Sequence, residues 1–161
     1  MISRDYIVRL LLRRPGTTGS PVARWTATVL ALAGAAMLIW SADIHIMLWS
    51  DGYKDIHIIG PLFLAQAIAC IVLTVPLVIW RALALQLVGA ATLAATAAGL
   101  LISANYGLFG MRESLSVPYA VLSLYVEFGG AVILAAGALV LALAKPAGSA
   151  QSNPSRTTSR T

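Results

Sequence analysis

Between Trp25 and Ala144 the chain carries four apolar runs, each about 20 residues or longer, broken only by short polar stretches. About 20 helical residues span the ~30 Å hydrocarbon core of a bilayer, so the runs are matched to a membrane. In lipid every backbone N–H and C=O has to be satisfied within its own segment, which makes helices of such runs. The spans expected are 25–49, 58–80, 82–104 and 118–144. A basic segment, 1–24, precedes them, and a tail rich in Ser, Thr, Pro and Gly, 145–161, follows; disorder is expected there. Composition agrees. With 59% hydrophobic and 11% charged residues, the chain has less than half the charge of a soluble domain (about 25%). Its apolar residues cannot all be hidden in a water-soluble core of this size, and lipid has to cover much of the surface. The expected class is an all-α membrane protein, a four-transmembrane-helix bundle in the plasma membrane.

Local signals refine this plan. The first run is too long for the core of a signal peptide and follows a long basic stretch, so it is read as an uncleaved membrane helix. Asp51-Gly52 is a turn signal, and Pro61 suits the first turn of the second helix. Pro76 predicts a kink. Trp80, Arg81 and Ala82 join the second and third spans so closely that a tight hairpin is expected. Ala91, Ala95 and Gly99 recur at every fourth position, a pattern that lets helices approach closely, within the chain or in a homo-oligomer or larger membrane complex. Residues 1–14 fit a short amphipathic helix lying against anionic lipid headgroups, with Arg9 and Arg13 a turn apart, and equally a frayed basic tail. Pro15 to Pro21 is read as a hinge.

The formal charge of +5 does not point to nucleic acid. The basic residues flank apolar spans and lack interleaved aromatics on a folded scaffold. Arg4, Arg9, Arg13, Arg14, Arg24, Arg81, Lys145, Arg156 and Arg160 fall at one set of span ends, and Lys54 and Arg112 at the other. By the positive-inside rule this bias puts both termini in the cytoplasm.

Under that topology Asp43, His45, His57, Gln66, Asn105 and Glu127 gather in the outer half of the membrane or at its outer surface. Ionisable groups at membrane depth cost ~2.5–3.5 kcal/mol each on insertion scales and usually face the bundle interior. Glu127 shares a helix face with Ala131, Ala135, Ala138 and Ala142, so its carboxyl has to be paired or kept neutral by a proton. Asp43 and His45 lie two residues apart, about 200° around a helix, and cannot both point inward. His45 shares the small-residue face with Gly34 and Ser41, and is expected to approach Glu127. Three uses of the cluster stay open. In the first, the polar groups hold the helices in register. In the second, His45, Glu127, Asp43, Gln66 and Asn105 form a ligand or proton-handling pocket. In the third, His45, His57, Asp43 and Glu127 ligate a metal, although no HxxxH or ExxH pair lies on one helix. Cys70 is alone and lies in an apolar run, where an inert thiol is expected. No nucleophile elbow or phosphate loop occurs, and no cofactor is specified.

The first turn carries a resemblance. Ile44-His45-Ile46-Met47-Leu48-Trp49, Gly52-Tyr53-Lys54, Ile56 and Ile59-Gly60-Pro61-Leu62-Phe63 are similar to a stretch of small four-helix membrane proteins of actinobacteria, which share their plan with DoxX-like proteins. The resemblance implies a four-helix bundle with His45, Trp49 and Tyr53 in the shared pattern; His57 departs from it, standing where a proline is usual. The DoxX link implies a role near quinone or thiol redox chemistry. The function expected is that of a non-enzymatic membrane component or accessory subunit, with a redox-linked, small-molecule- or metal-binding protein using His45 and Glu127 as the alternative.

Overall fold

The computed structural model describes residues 4–110, 112 and 118–147. Its helices are α1 (Arg4–Leu11), α2 (Pro21–Ser50), α3 (Ile59–Trp80), α4 (Leu83–Tyr106) and α5 (Pro118–Leu143), with 3-10 turns at Pro15–Thr17 and Tyr53–Asp55. Helices α2 to α5 are each long and apolar enough to cross a membrane. At 1.5 Å per residue the shortest extends about 33 Å and the longest about 45 Å.

The helix ends follow from local chemistry. Ser20 caps α2 by accepting from the Ala23 amide, and Pro21 occupies the first helical position, so α2 begins at Pro21 rather than Trp25. It ends at Asp51, followed by Gly52 at φ 136°. Helix α3 runs unbroken through Pro76 and stops at Arg81, which takes the left-handed φ of 50°. The Arg81 Nε donates to the Val78 carbonyl at 2.9 Å. Arg112 similarly donates to the Ala104 and Asn105 carbonyls at the end of α4. These arginines meet the negative ends of helices, a use of the basic residues beyond orientation and lipid contact.

In space the helices run α3, α2, α5, α4 as an open arc. Extensive packing joins α2 to α3, α2 to α5 and α4 to α5, whereas α3 and α4 touch little. The expected tight hairpin is therefore absent: two residues join α3 to α4, and the helices then diverge. Small residues decide where helices close up. The fully buried Leu134 of α5 fills space that a Cβ on Gly34 of α2 or Gly89 of α4 would take. Gly130 similarly admits Met37 and Leu93, and Gly137 admits Gln86 and Leu30. By contrast, Ala91 and Ala95 are exposed, and a Cβ on Gly99 would meet nothing within 4 Å. The stripe expected to close a helix pair within the chain instead leaves one open.

The segment before α2 is a strap rather than a hinge. Residues of α1 form a helix, and Leu10 and Leu11 pack against Ala27, Leu83, Ala138 and Leu141. The Arg13 carbonyl accepts from the first amide of α4, at Leu83 (2.8 Å), and its guanidinium donates to the last carbonyls of α5. Gly19 donates to the Lys145 carbonyl and Ala147 to that of Thr17, closing a short antiparallel bridge between Thr18 and Pro146. The disorder expected over 145–161 is thus not found at 145–147, and the rest of that tail, 148–161, lies outside the described residues.

Candidate functional site

A cavity of about 320 Å³ lies in the half of the bundle away from the termini. Helix α2 lines it with His45 and Leu48, α3 with Ile59, Leu62, Phe63 and Gln66, and α4 with Ala95, Thr96, Gly99, Leu100 and Ser103. Helix α5 contributes Ala120, Ser123 and Glu127, and Tyr53 and Leu108 come from the two connections. Leu62 and Ala95 line the cavity while also being exposed, which places its opening at the α3–α4 seam. The opening follows from the arc: α3 and α4 diverge, and small residues on α4 leave the gap unfilled.

The polar groups form a short row at the inner wall. The His45 ring nitrogen Nδ1 lies 2.8 Å from the Ser41 carbonyl, one turn back on α2. A carbonyl only accepts, so in the neutral ring Nδ1 carries the hydrogen and Nε2 presents a lone pair. That Nε2 stands 3.8 Å from Glu127 Oε1, an ion-pair distance if the ring is charged but too long for a hydrogen bond. Ser123, one turn before Glu127, donates to Oε1 at 2.8 Å. Glu127 is fully buried, and its Oε2 has no hydrogen-bond partner among the described residues. Gln66 Nε2 reaches Cys70 Sγ at 3.4 Å. Each of these bonds stays within its own helix, so they do not lock one helix to another.

Aromatic rings frame the row. Phe63 stacks on Tyr53 with centroids 4.8 Å apart and tilts against the His45 ring at 5.1 Å. Tyr53 is held over the cavity by its 3-10 turn, which is seated on Gly60. A Cβ at Gly60 would lie 2.7 Å from the carbonyl oxygens of both Tyr53 and Lys54. Gly60→Ala therefore has to push the turn away. The expected cost is about 1–2 kcal/mol, as for other overpacking changes, and a melt in detergent combined with tyrosine and tryptophan fluorescence reads both the loss and the displacement of Tyr53. An unchanged melt would show that the turn yields freely.

The sequence candidates separate clearly. His45, Gln66 and Glu127 come together on the cavity wall. Asp43 does not; it is exposed in a shallow groove with Ile39, Ala42, Ile46 and Ile71. Asn105 is exposed, outside the cavity lining, and its side chain donates to the Leu101 carbonyl of its own helix. His57 is exposed in the α2–α3 connection. The four proposed metal ligands are thus not assembled, and among the described residues no three His, Cys, Asp or Glu side chains are grouped as a metal site needs. Tyr53, Phe63, Ser103 and Ser123 line the cavity without having been singled out as site residues. Ser123 was legible in principle, since it stands one helical turn from Glu127. No protein-family model, curated protein or solved structure matches the chain. The functional reading therefore rests on this geometry.

Proposed function

We propose that the chain is a non-enzymatic, multi-pass plasma-membrane protein that holds a lipid-soluble small molecule in the cavity between α3 and α4. One observation carries the reading: the side chains of His45, Gln66 and Glu127 make their hydrogen bonds within their own helices and line the cavity together, and His45 and Glu127 approach across helices only to 3.8 Å, too far for a hydrogen bond. A structural lock would join different helices. An apolar pocket with a few convergent polar groups is the usual form of a small-molecule site. The open seam gives a ligand dissolved in the bilayer a sideways route to those groups. On the orientation implied by the basic residues, the pocket lies in the outer leaflet.

The seam also bears on assembly. If the Ala91-Ala95-Gly99 face packed against a second copy, that copy would cover the opening. Ligand entry and oligomerisation through this face are thus competing uses of one surface.

Gly99→Leu separates filling the cavity from breaking the fold, because Gly99 lines the cavity and a Cβ there would meet nothing within 4 Å. The variant is expected to melt within about 0.5 kcal/mol of the native chain while losing any small molecule that copurifies with it. Mass spectrometry of organic extracts from the purified full-length protein makes the comparison. A bound compound retained in full by Gly99→Leu would overturn the reading.

A further inference from the structure

We infer that the molecule this cavity takes is a lipid-soluble organic cation, an alkylammonium whose charge pairs with Glu127. The inference rests on the pocket reading above and names the class of ligand. Glu127 Oε2 is fully buried and has no hydrogen-bond partner among the described residues, and Glu127 is one of the residues lining the cavity. No Lys or Arg among the described residues lines that cavity. A carboxyl placed this way in an apolar medium holds a proton or pairs with a cation, since an isolated buried charge is very costly. Among the described residues no Lys or Arg supplies that cation, so an ionised Glu127 would take its counter-charge from a ligand.

The neighbouring groups suit an ammonium head. Neutral His45 presents Nε2 as a second acceptor, 3.8 Å from Glu127 Oε1. An N–H donor facing the pair would find an acceptor in either group. The rings of Tyr53 and Phe63 line the same space, and aromatic faces attract desolvated cations. The apolar body of such a ligand would lie along Leu62 and Ala95 towards the lipid. A neutral alcohol or ketone could fill the same volume but would leave Glu127 to hold a proton.

A proton and the cation would compete for one carboxyl, so affinity should fall as the pH is lowered. Among the described residues, the titratable groups around Glu127 are His45 from α2, Cys70 from α3 and Tyr53 from the turn. Helix α4 lines the cavity with no titratable side chain. Protonation of His45 would repel a cation in the same direction, so a Glu127 variant is needed to separate the two.

The test uses the full-length protein in nanodiscs with N,N-dimethyldodecylamine, charged at neutral pH, and the uncharged N,N-dimethyldodecanamide as its control. The amine should bind the native chain, with Glu127→Gln weakening it roughly thirtyfold or more, as expected for losing one partner of a buried pair. The amide should be indifferent to that change. In the native chain, amine binding should weaken by about tenfold per pH unit once the carboxyl is protonated, across pH 8 to 4, while amide binding stays flat. This arm needs no variant and still distinguishes a cation from a neutral ligand if Glu127→Gln does not fold, while assigning the effect to Glu127 rather than His45 takes that variant. Equal binding of amine and amide, unaffected by pH, would overturn the cation inference and leave the pocket reading intact. Binding of neither, with Gly99→Leu also indistinguishable from the native chain in copurified compound, would overturn both.

Discussion

Leu134→Ala is expected to destabilise the bundle by about 2–5 kcal/mol, the range for truncating a fully buried leucine. Leu134 is completely buried on α5 and occupies space left by Gly34 on α2 and by Gly89 on α4. It belongs to the cluster that also holds Leu38, Leu77 and Leu93. In a membrane, lipid tails are as apolar as leucine, so transfer from water contributes little to holding helices together. What alanine removes is packing: the void has no atoms on one side, and its lining loses those contacts. Two glycines at the contact also leave no side chains able to relax into the gap. Leu134→Met, which nearly conserves volume, should cost under about 1.5 kcal/mol. Denaturation in mixed micelles, followed by loss of helical signal, measures both. A Leu134→Ala variant as stable as the native chain would mean that the α2–α5–α4 contact does not hold the bundle together.

Arg13→Ala is expected to cost about 2–3 kcal/mol, and to loosen both the strap and the end of α5. The Arg13 guanidinium donates from Nη1 to the Leu141 and Ala142 carbonyls at 2.9 and 3.0 Å. Hydrogen bonds involving a charged group contribute about 1.5–3 kcal/mol, and a cation at a helix C-terminus adds a further fraction through the helix dipole. Partial exposure of the pair keeps the total nearer the lower end. The backbone bond from Leu83 to the Arg13 carbonyl survives the change, so α4 should keep its start while α5 frays. Arg13→Lys should recover part of the loss, because an ammonium can still donate to those carbonyls. A detergent melt reads the stability, and limited proteolysis reads release of residues before Pro21. If Arg13→Ala melted normally and resisted cleavage, the strap would have to be held by its backbone bridge and apolar contacts alone.

Much of this architecture was legible because membrane physics imposes it. Apolar run length identified the four spans, and the 100° step of a helix separated His45, sharing a face with Ser41, from Asp43 on the opposite side. The approach of His45 to Glu127 followed from that step together with the small-residue face. The open seam was not legible. Short connections normally make helices neighbours, and the Ala91-Ala95-Gly99 spacing looks the same whether a helix or empty space lies against it. Which meaning applies depends on where Gly34, Gly130 and Gly137 draw α5 in, and that is a property of three helices together. Arg13 illustrates a second limit. A basic residue near a span reads as a lipid or orientation signal, and nothing in its local sequence reveals carbonyls 128 and 129 residues away.

The order of the arc has a consequence for biosynthesis. Helices α2 and α3 emerge from the ribosome first and can pair at once, and α4 follows with little surface to offer α3. The helix that joins α4 to α2 is α5, the last of the four to be made. Until it is inserted, α4 has scarcely any partner in its own chain, and the wall carrying Glu127 does not exist. Between the completion of α4 at Tyr106 and that of α5 at Leu143, the nascent protein is therefore one helix pair and a loosely tethered third span. A chain that stopped short of α5 would present the membrane's quality-control proteases with unassembled helices rather than with a smaller version of the fold.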